Sequence, residues 1–362
     1  MFLDIARAFD CVARLTLLGK LSAYGCSDGS CELINSFLSD RYQYVFVNNT
    51  WSKRQKIDCG VPQGSILGPL LFLIFINDLP SYLNKYSTIL FADDTTVSVS
   101  SDSLASVLGE GVAAQSRALD WFSSNGLIVN DQKTVKLLFT LKDADRHDLL
   151  GSARFLGLTL DSTLRWGENA DQLASKLCKN IFLIKSMSNR VSPNVLRMAY
   201  FGLVESQLRY GVLAWGNSSS RVRIFALQRR VVRVVAGINY RDDCRSAFVN
   251  LGILTFTCLY ILEALIFAHN NKSDLNIGSN YHDYPTRGRH LLRNNFCRLS
   301  KTQSGPWYMS KKFYNKLPSS IKIMEPQAFK KSVKAVLIRC AFYSFDEFFG
   351  FDFDAVWPPC RL

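Results

Sequence analysis

Two strand-like runs, Thr88 to Ala92 and Thr95 to Val99, are separated by only two residues, Asp93 and Asp94. A connection that short predicts an antiparallel β-hairpin. It places adjacent carboxylates at the tip, each next to an apolar strand. A third acid, Asp4, has a similar setting inside Phe2-Leu3-Asp4-Ile5, a short predicted strand already under way at residue 1. A carboxylate in apolar surroundings is costly without a partner. Two adjacent ones also repel, which raises a pKa unless a cation is near. A hard divalent ion resolves both problems, because Mg²⁺ takes oxygen ligands and prefers a few carboxylates plus substrate phosphates. For the Asp-Asp pair alone, an ordinary polar turn is the alternative.

Between these acids lies Gly60-Val61-Pro62-Gln63-Gly64-Ser65, with Gly68 and Pro69 just beyond. This composition marks a tight turn with close backbone approach, followed by an apolar helix over Leu70 to Leu79. Helical periods cover residues 11–40 and Ser103 to Ser124. Residues 42–47 predict an exposed strand turning at Asn48-Asn49. Leu127 to Val129, Lys136 to Thr140 and Phe155 to Leu160 read as further strands. After Trp166 the texture becomes helical, over 168–190, 193–214, 221–237, 252–269 and Phe329 to Cys340. Arg223, Arg230 and Arg233 are spaced to share one helix face. Residues 271–306 read as a loop or linker.

The net charge of +13 is unevenly spread. Residues 176–241 hold 12 basic residues against Glu205 alone, and residues 286–339 hold 13 against Glu325 alone. Blocks of one sign repel themselves and commonly meet a polyanion, here a nucleic acid; a solvated basic face is the plainer reading. The ten cysteines show no C-x-x-C pair and do not cluster with the four histidines, which argues against a zinc finger and for reduced thiols. The longest apolar run, Ile66 to Ile76, is too short to span a bilayer, so no membrane partner is expected. No secretory signal is visible at the start. The expected location is the nucleus and cytoplasm.

Taken in order, the motifs resemble the reverse transcriptases of non-long-terminal-repeat retrotransposons, of the jockey and related insect-type clades. Leu3-Asp4-Ile5-Ala6-Arg7-Ala8-Phe9-Asp10 is similar to motif A, and Gly60 to Pro69 to motif B. Phe91-Ala92-Asp93-Asp94 is similar to motif C, Asn130-Asp131-Gln132-Lys133-Thr134 to motif D, and Phe155-Leu156-Gly157 to motif E. Leu227-Gln228-Arg229-Arg230 and Phe313 to Pro318 resemble the C-terminal part of those polyproteins. The resemblance implies an α+β right-hand palm over 1–165, a helical basic thumb over 166–241, and a mostly helical C-terminal region over 242–362. The implied activity is RNA-directed DNA synthesis on an RNA template, from a DNA primer and deoxynucleoside triphosphates.

The resemblance also implies roles. Asp4, Asp93 and Asp94 are the catalytic carboxylates; with the Ile5 carbonyl they hold two Mg²⁺ ions, or Mn²⁺. Phe9 is the gate against a ribose 2′-hydroxyl, with a core phenylalanine as the alternative. Gln63 and Gly64 line the nucleotide pocket. Lys133 stands near the leaving pyrophosphate, or is merely solvated. Asp10 is read as a helix N-terminal acid. The family's fingers and endonuclease are not visible here, so the expectation is an N-terminally truncated chain that binds nucleic acid and polymerises poorly. A non-enzymatic binding relic that keeps the basic thumb is the second reading. A viral RNA polymerase is the rival among polymerases and fits the C-terminal motifs poorly.

Overall fold

The computed structural model describes residues 1–140, 151–272, 275 and 291–357, which form two compact units, Met1–Thr163 and Leu164–Leu362. The first mixes short antiparallel strands with helices and the described residues of the second are helical, giving an α+β chain. Three of the histidines, Cys360 and about half of the expected linker lie outside the described residues. The nine described cysteines are free thiols. Among the described residues no single helix is long and apolar enough to cross a membrane.

The first unit is organised by a three-stranded antiparallel sheet, with Asp94–Ser98 between Phe2–Leu3 and Ser87–Phe91. Helices Arg14–Ala23, Asp28–Leu38, Leu67–Ile76 and Leu104–Ser124 supply most of the remaining core, including Leu17, Leu38, Phe72, Phe75, Ala118 and Phe122. Leu67–Ile76 starts earlier than expected because the Ser65 hydroxyl accepts from the Gly68 N–H at 3.0 Å. It stops at Ile76 because Pro80 lacks an N–H and crowds the carbonyl four residues back. Its C-terminal end is held by Lys20, whose Nζ donates to the Phe75 carbonyl and to Asp78, both at 2.7 Å. A cation there also complements the helix dipole.

Several expected strands take a different form. The hairpin turn is Ala92-Asp93, and Asp94 already pairs with Phe91. Ala92 adopts φ 51° to allow it. That left-handed backbone costs about 1–2 kcal/mol, offset by the extra ladder pairing in the central strand. Phe155 to Leu160 is a hairpin, Ser152–Phe155 with Leu158–Asp161, because Leu156 (φ 46°) and Gly157 (φ 79°) turn the chain. Lys136 to Thr140 forms no strand: only Val135 bridges to Phe2, through bonds of 2.8 and 3.0 Å. Asn48 (φ 47°) and Asn49 (φ 57°) make the expected turn, with both central residues left-handed.

The second unit is built round Phe256–Asn270, in which eleven residues are buried. A helix apolar on nearly every side belongs at the centre of a helical pack. Pro193–Tyr200, Arg221–Ala236, Pro306–Lys316 and Pro326–Cys340 belong to the same unit. The expected helix 193–214 breaks at Gly211 (φ 58°) after a π-helical turn at Phe201–Glu205. Gln228 is fully buried. It donates to Tyr200 Oη (2.8 Å) and the Leu254 carbonyl (2.9 Å) and accepts from the Phe256 N–H (2.7 Å). This explains a glutamine inside an otherwise apolar and basic run.

His269 is buried beneath the Phe329 ring, centroids 4.0 Å apart. Its ring nitrogens face Tyr314 Oη (3.2 Å) and the Met324 carbonyl (3.0 Å). Burial, then Lys272, lowers its pKa below 6.5, against the Met324 carbonyl and Glu325. A group with a depressed folded pKa stabilises the fold above its unfolded value, and that stability is lost as pH falls below it. The urea midpoint is therefore expected to drop between pH 7.5 and 5.5, with a shallower drop in His269→Gln. An equal drop in both chains would remove His269 from the pH dependence.

Candidate functional site

The sheet register assembles the acids. Phe2 faces Thr96 and Leu3 faces Thr95, so Asp4 and Asp94 follow directly on the last pair of this ladder. Asp93 sits in the adjoining turn. Residues 90 positions apart in sequence are thus brought to one end of one sheet. The Asp94 carboxyl is pushed up from its ordinary value, by partial burial first and then by the negative charges of Asp93 and Asp4. The three acids therefore form one electrostatic group.

A second strand pair holds Asp4 from the other side. Ile5 faces Val129 and Ala6 faces Ile128, while Phe2 bridges to Val135. Residues 130–134 must bulge over Asp4, because five residues there span the gap covered by two on the facing strand. The Asn130 N–H donates to the Asp4 carbonyl (2.8 Å), and the Asn130 carbonyl accepts from Lys133 N (3.1 Å) and Thr134 N (3.0 Å). This loop delivers the exposed Lys133 ammonium to 3.5 Å from Asp4 Oδ2. Ile5 is buried next to Asp4, in the strand that pairs with Val129.

The Gly60 turn is clamped onto the segment after Asp4. Gly60 N donates to the Val12 carbonyl and Val61 N to the Phe9 carbonyl, both at 2.8 Å. Gly60 has φ 82°, and a Cβ there would lie 2.8 Å from the Asp10 Cα and carbonyl oxygen. Only glycine fits both the dihedral and the space. Gln63 Nε2 donates to Asp10 Oδ1 at 2.8 Å, so Asp10 closes a side-chain bridge between the two loops, a use beyond helix-end chemistry. Arg41 adds bonds to the Cys59 and Gly60 carbonyls. Neither residue carries a sequence signal for this, since both depend on pairing between distant loops. Gly64 (φ 81°) is open to solvent, with nothing within 4 Å of where a Cβ would stand. Phe9 is half-buried and stacks on Phe72, centroids 4.6 Å apart and planes 28° apart.

The donor set is all oxygen, which suits Mg²⁺, and the mutual repulsion at Asp94 is what a bound cation would relieve. Among the described residues, no group of three His, Cys, Asp or Glu side chains is drawn together closely enough to hold an ion. The Asp4 carboxylate instead faces Lys133.

Residues 1–160 match the family described as reverse transcriptase (RNA-dependent DNA polymerase). The chain is 30% identical over 270 residues to the "Probable RNA-directed DNA polymerase from transposon BS" of Drosophila melanogaster, covering 66% of this chain and 29% of that protein. It is 27% identical over 317 residues to the "Probable RNA-directed DNA polymerase from transposon X-element" of the same organism, covering 81% and 32%. It is 26% identical over 262 residues to the "RNA-directed DNA polymerase from mobile element jockey", also from Drosophila melanogaster, covering 65% and 28%. The chain thus spans about three tenths of the length of these relatives.

The clamp at Gly60 gives a direct test. Gly60→Ala is expected to destabilise the first unit by about 1–3 kcal/mol, the cost of one strained backbone site. Denaturant unfolding reads it out, and an unchanged midpoint would mean that the two loops do not meet as described.

Proposed function

Because the chain belongs to the reverse transcriptases of non-long-terminal-repeat retrotransposons, we propose that it carries the palm of an RNA-directed DNA polymerase that copies retrotransposon RNA into DNA. In this reading residues 1–165 are the palm, 166–241 the thumb and 242–362 a C-terminal nucleic-acid-handling region. The substrates are an RNA template, a DNA primer and deoxynucleoside triphosphates. In this reading the work is done in the nucleus and cytoplasm.

The reading is supported by the pairing of Phe2–Leu3 with Thr95–Thr96, which brings Asp4 to the end of the sheet where Asp94 and the Asp93 turn lie. Phosphoryl transfer needs little covalent help from the protein and depends on positioning and charge. Asp4, Asp93, Asp94 and the Ile5 carbonyl would hold two Mg²⁺ ions, which supply activation of the primer 3′-hydroxyl and neutralisation of the triphosphate. Lys133, at 3.5 Å from Asp4, would stand near the leaving pyrophosphate. Gln63 and Gly64 present an open surface to the incoming nucleotide, held in place by the Gln63–Asp10 bond. Phe9 presents a ring whose tilt is fixed by Phe72, and that ring crowds a 2′-hydroxyl.

Several arginines of the basic helix Arg221–Ala236 are already engaged within the fold. Arg223 pairs with Asp171, Arg229 lies over Phe225 and Tyr343, and Arg233 donates to the Asp242 carbonyl. Arg230 is left exposed for phosphate.

The test joins metal binding to chemistry. With Fe²⁺ in place of Mg²⁺, peroxide is expected to cut the backbone near residues 4 and 93–94, and Asp93→Asn is expected to abolish the cuts. In primer extension on poly-rA with oligo-dT, Asp93→Asn is expected to lower incorporation by at least about 100-fold, since a metal ligand is worth several kcal/mol of barrier. Absent cutting, or incorporation indifferent to Asp93→Asn, would overturn the reading. Phe9→Val is expected to admit ribonucleotides in the same assay; unchanged sugar discrimination would return Phe9 to a packing role.

A further inference from the structure

We propose that the ribbon spanning residues 41–57 is a stacking platform for an unpaired nucleic-acid strand. Arg41–Gln43 pairs with Gln55–Ile57, and Phe46–Val47 with Thr50–Trp51. Ser52 N bonds the Val45 carbonyl at 2.8 Å, which joins the two ladders into one ribbon. Two residues, 44 and 45, then oppose three, 52 to 54, which is a β-bulge at the base of the tip.

Every residue from 42 to 56 is exposed, so both faces of the ribbon are wet. Such a ribbon is marginal alone and would ordinarily be polar. This one exposes Tyr42, Tyr44, Val45, Phe46, Val47 and Trp51. Trp51, 60% exposed, touches the rings of Phe46 (4.4 Å between centroids) and Tyr44 (4.8 Å). Three rings thus make one continuous aromatic surface. A contiguous exposed apolar patch marks an interaction site.

Charge selects the partner. Residues 41–57 carry Arg41, Lys53, Arg54 and Lys56 and no acid. Arg54 lies over the Tyr42 ring at 3.8 Å. Lys56 is drawn to Asp58 at 3.5 Å, and Lys53 makes no ion pair among the described residues. Aromatic rings for base faces, interleaved with cations for phosphates, are the elements that grip a single strand. A duplex keeps its bases stacked on each other and offers the rings nothing. The proposal takes from the polymerase reading only that an unpaired template strand is there to be held; its test needs no catalysis.

The test is fluorescence anisotropy of the full chain with labelled oligo-rU and oligo-dT of about 12 nucleotides, within the usual site sizes, and a duplex of equal length. Trp51→Ala is expected to weaken single-strand binding by about 5- to 100-fold, the value of one stacked base, and duplex binding far less. Trp51→Phe should restore most of the loss. Lys53→Gln with Arg54→Gln is expected to flatten the slope of log affinity against log salt by about 1.4, for two phosphates on a single strand. Unchanged melting of each variant confirms the fold, as suits side chains this exposed. Binding is read without added Mg²⁺ or nucleotide, so failed polymerisation and a failed platform are separable. Equal loss for single strand and duplex, or no loss in either, overturns the proposal. So does a concentration-dependent dimer that Trp51→Ala dissolves without touching oligonucleotide affinity, which would assign the ribbon to a second copy of the chain.

Discussion

The pairing of Phe2–Leu3 with Asp94–Ser98 is the constraint on which the first unit depends. It makes Asp94–Ser98 a central strand, buries Thr95, Thr96 and Val97, and brings Asp4 and Asp94 to the same end of the sheet. The second pairing, of Ile5–Ala6 with Ile128–Val129, fixes Asp4 from the opposite edge and forces residues 130–134 to arch over it. The three acids and Lys133 are therefore placed by the backbone ladders of residues 2–6 and of the 87–98 hairpin. The Gly60 turn is tied to the continuation of residues 2–6 by two 2.8 Å backbone bonds.

The arrangement runs against local stability. Like charges are gathered where Asp94 is partly desolvated, and Ala92 and Arg7 are held in left-handed backbone. Breaches of local preference that cluster at one end of one sheet are what a site for ligand charge requires. In the second unit two buried polar side chains are fully served, while Glu205 Oε2, Tyr260 Oη and Ser310 Oγ are buried with no hydrogen-bond partner among the described residues. Gln228 uses its amide nitrogen and oxygen on three partners, and His269 has a partner at each nitrogen.

Much of this was legible in the residues. The hairpin, the glycine turn and the helices at Leu104–Ser124 and Arg221–Ala236 follow from period and punctuation. What the sequence does not carry is the register. Whether the turn is Asp93-Asp94 or Ala92-Asp93 depends on ladder bonds outweighing one strained alanine, and propensity alone favours neither. Leu156-Gly157 is a turn signal inside an apolar run, so the hairpin at 152–161 was hidden by its own strands. The Gln63–Asp10 and Lys133–Asp4 contacts join residues 53 and 129 positions apart, which no periodicity records. The arginines of 221–236 look alike in sequence, yet their partners divide them into packing and solvent-facing groups.

The same ladders set an order of events during synthesis. Residues 2–6 find their partners only at 94–96 and 128–135. Ribosomes add roughly 5–20 residues each second, so the segment bearing Asp4 waits on the order of ten seconds before its last partner exists. During that interval Phe2, Leu3 and Ile5 form an unpaired apolar strand, the kind of edge that recruits wrong neighbours. Helices Arg14–Ala23, Asp28–Leu38 and Leu67–Ile76 emerge first and can pack locally, offering Leu17, Leu21 and Phe72 as a provisional cover. The carboxylate cluster is then among the last features of the first unit to form, after the core that must carry its repulsion is already in place.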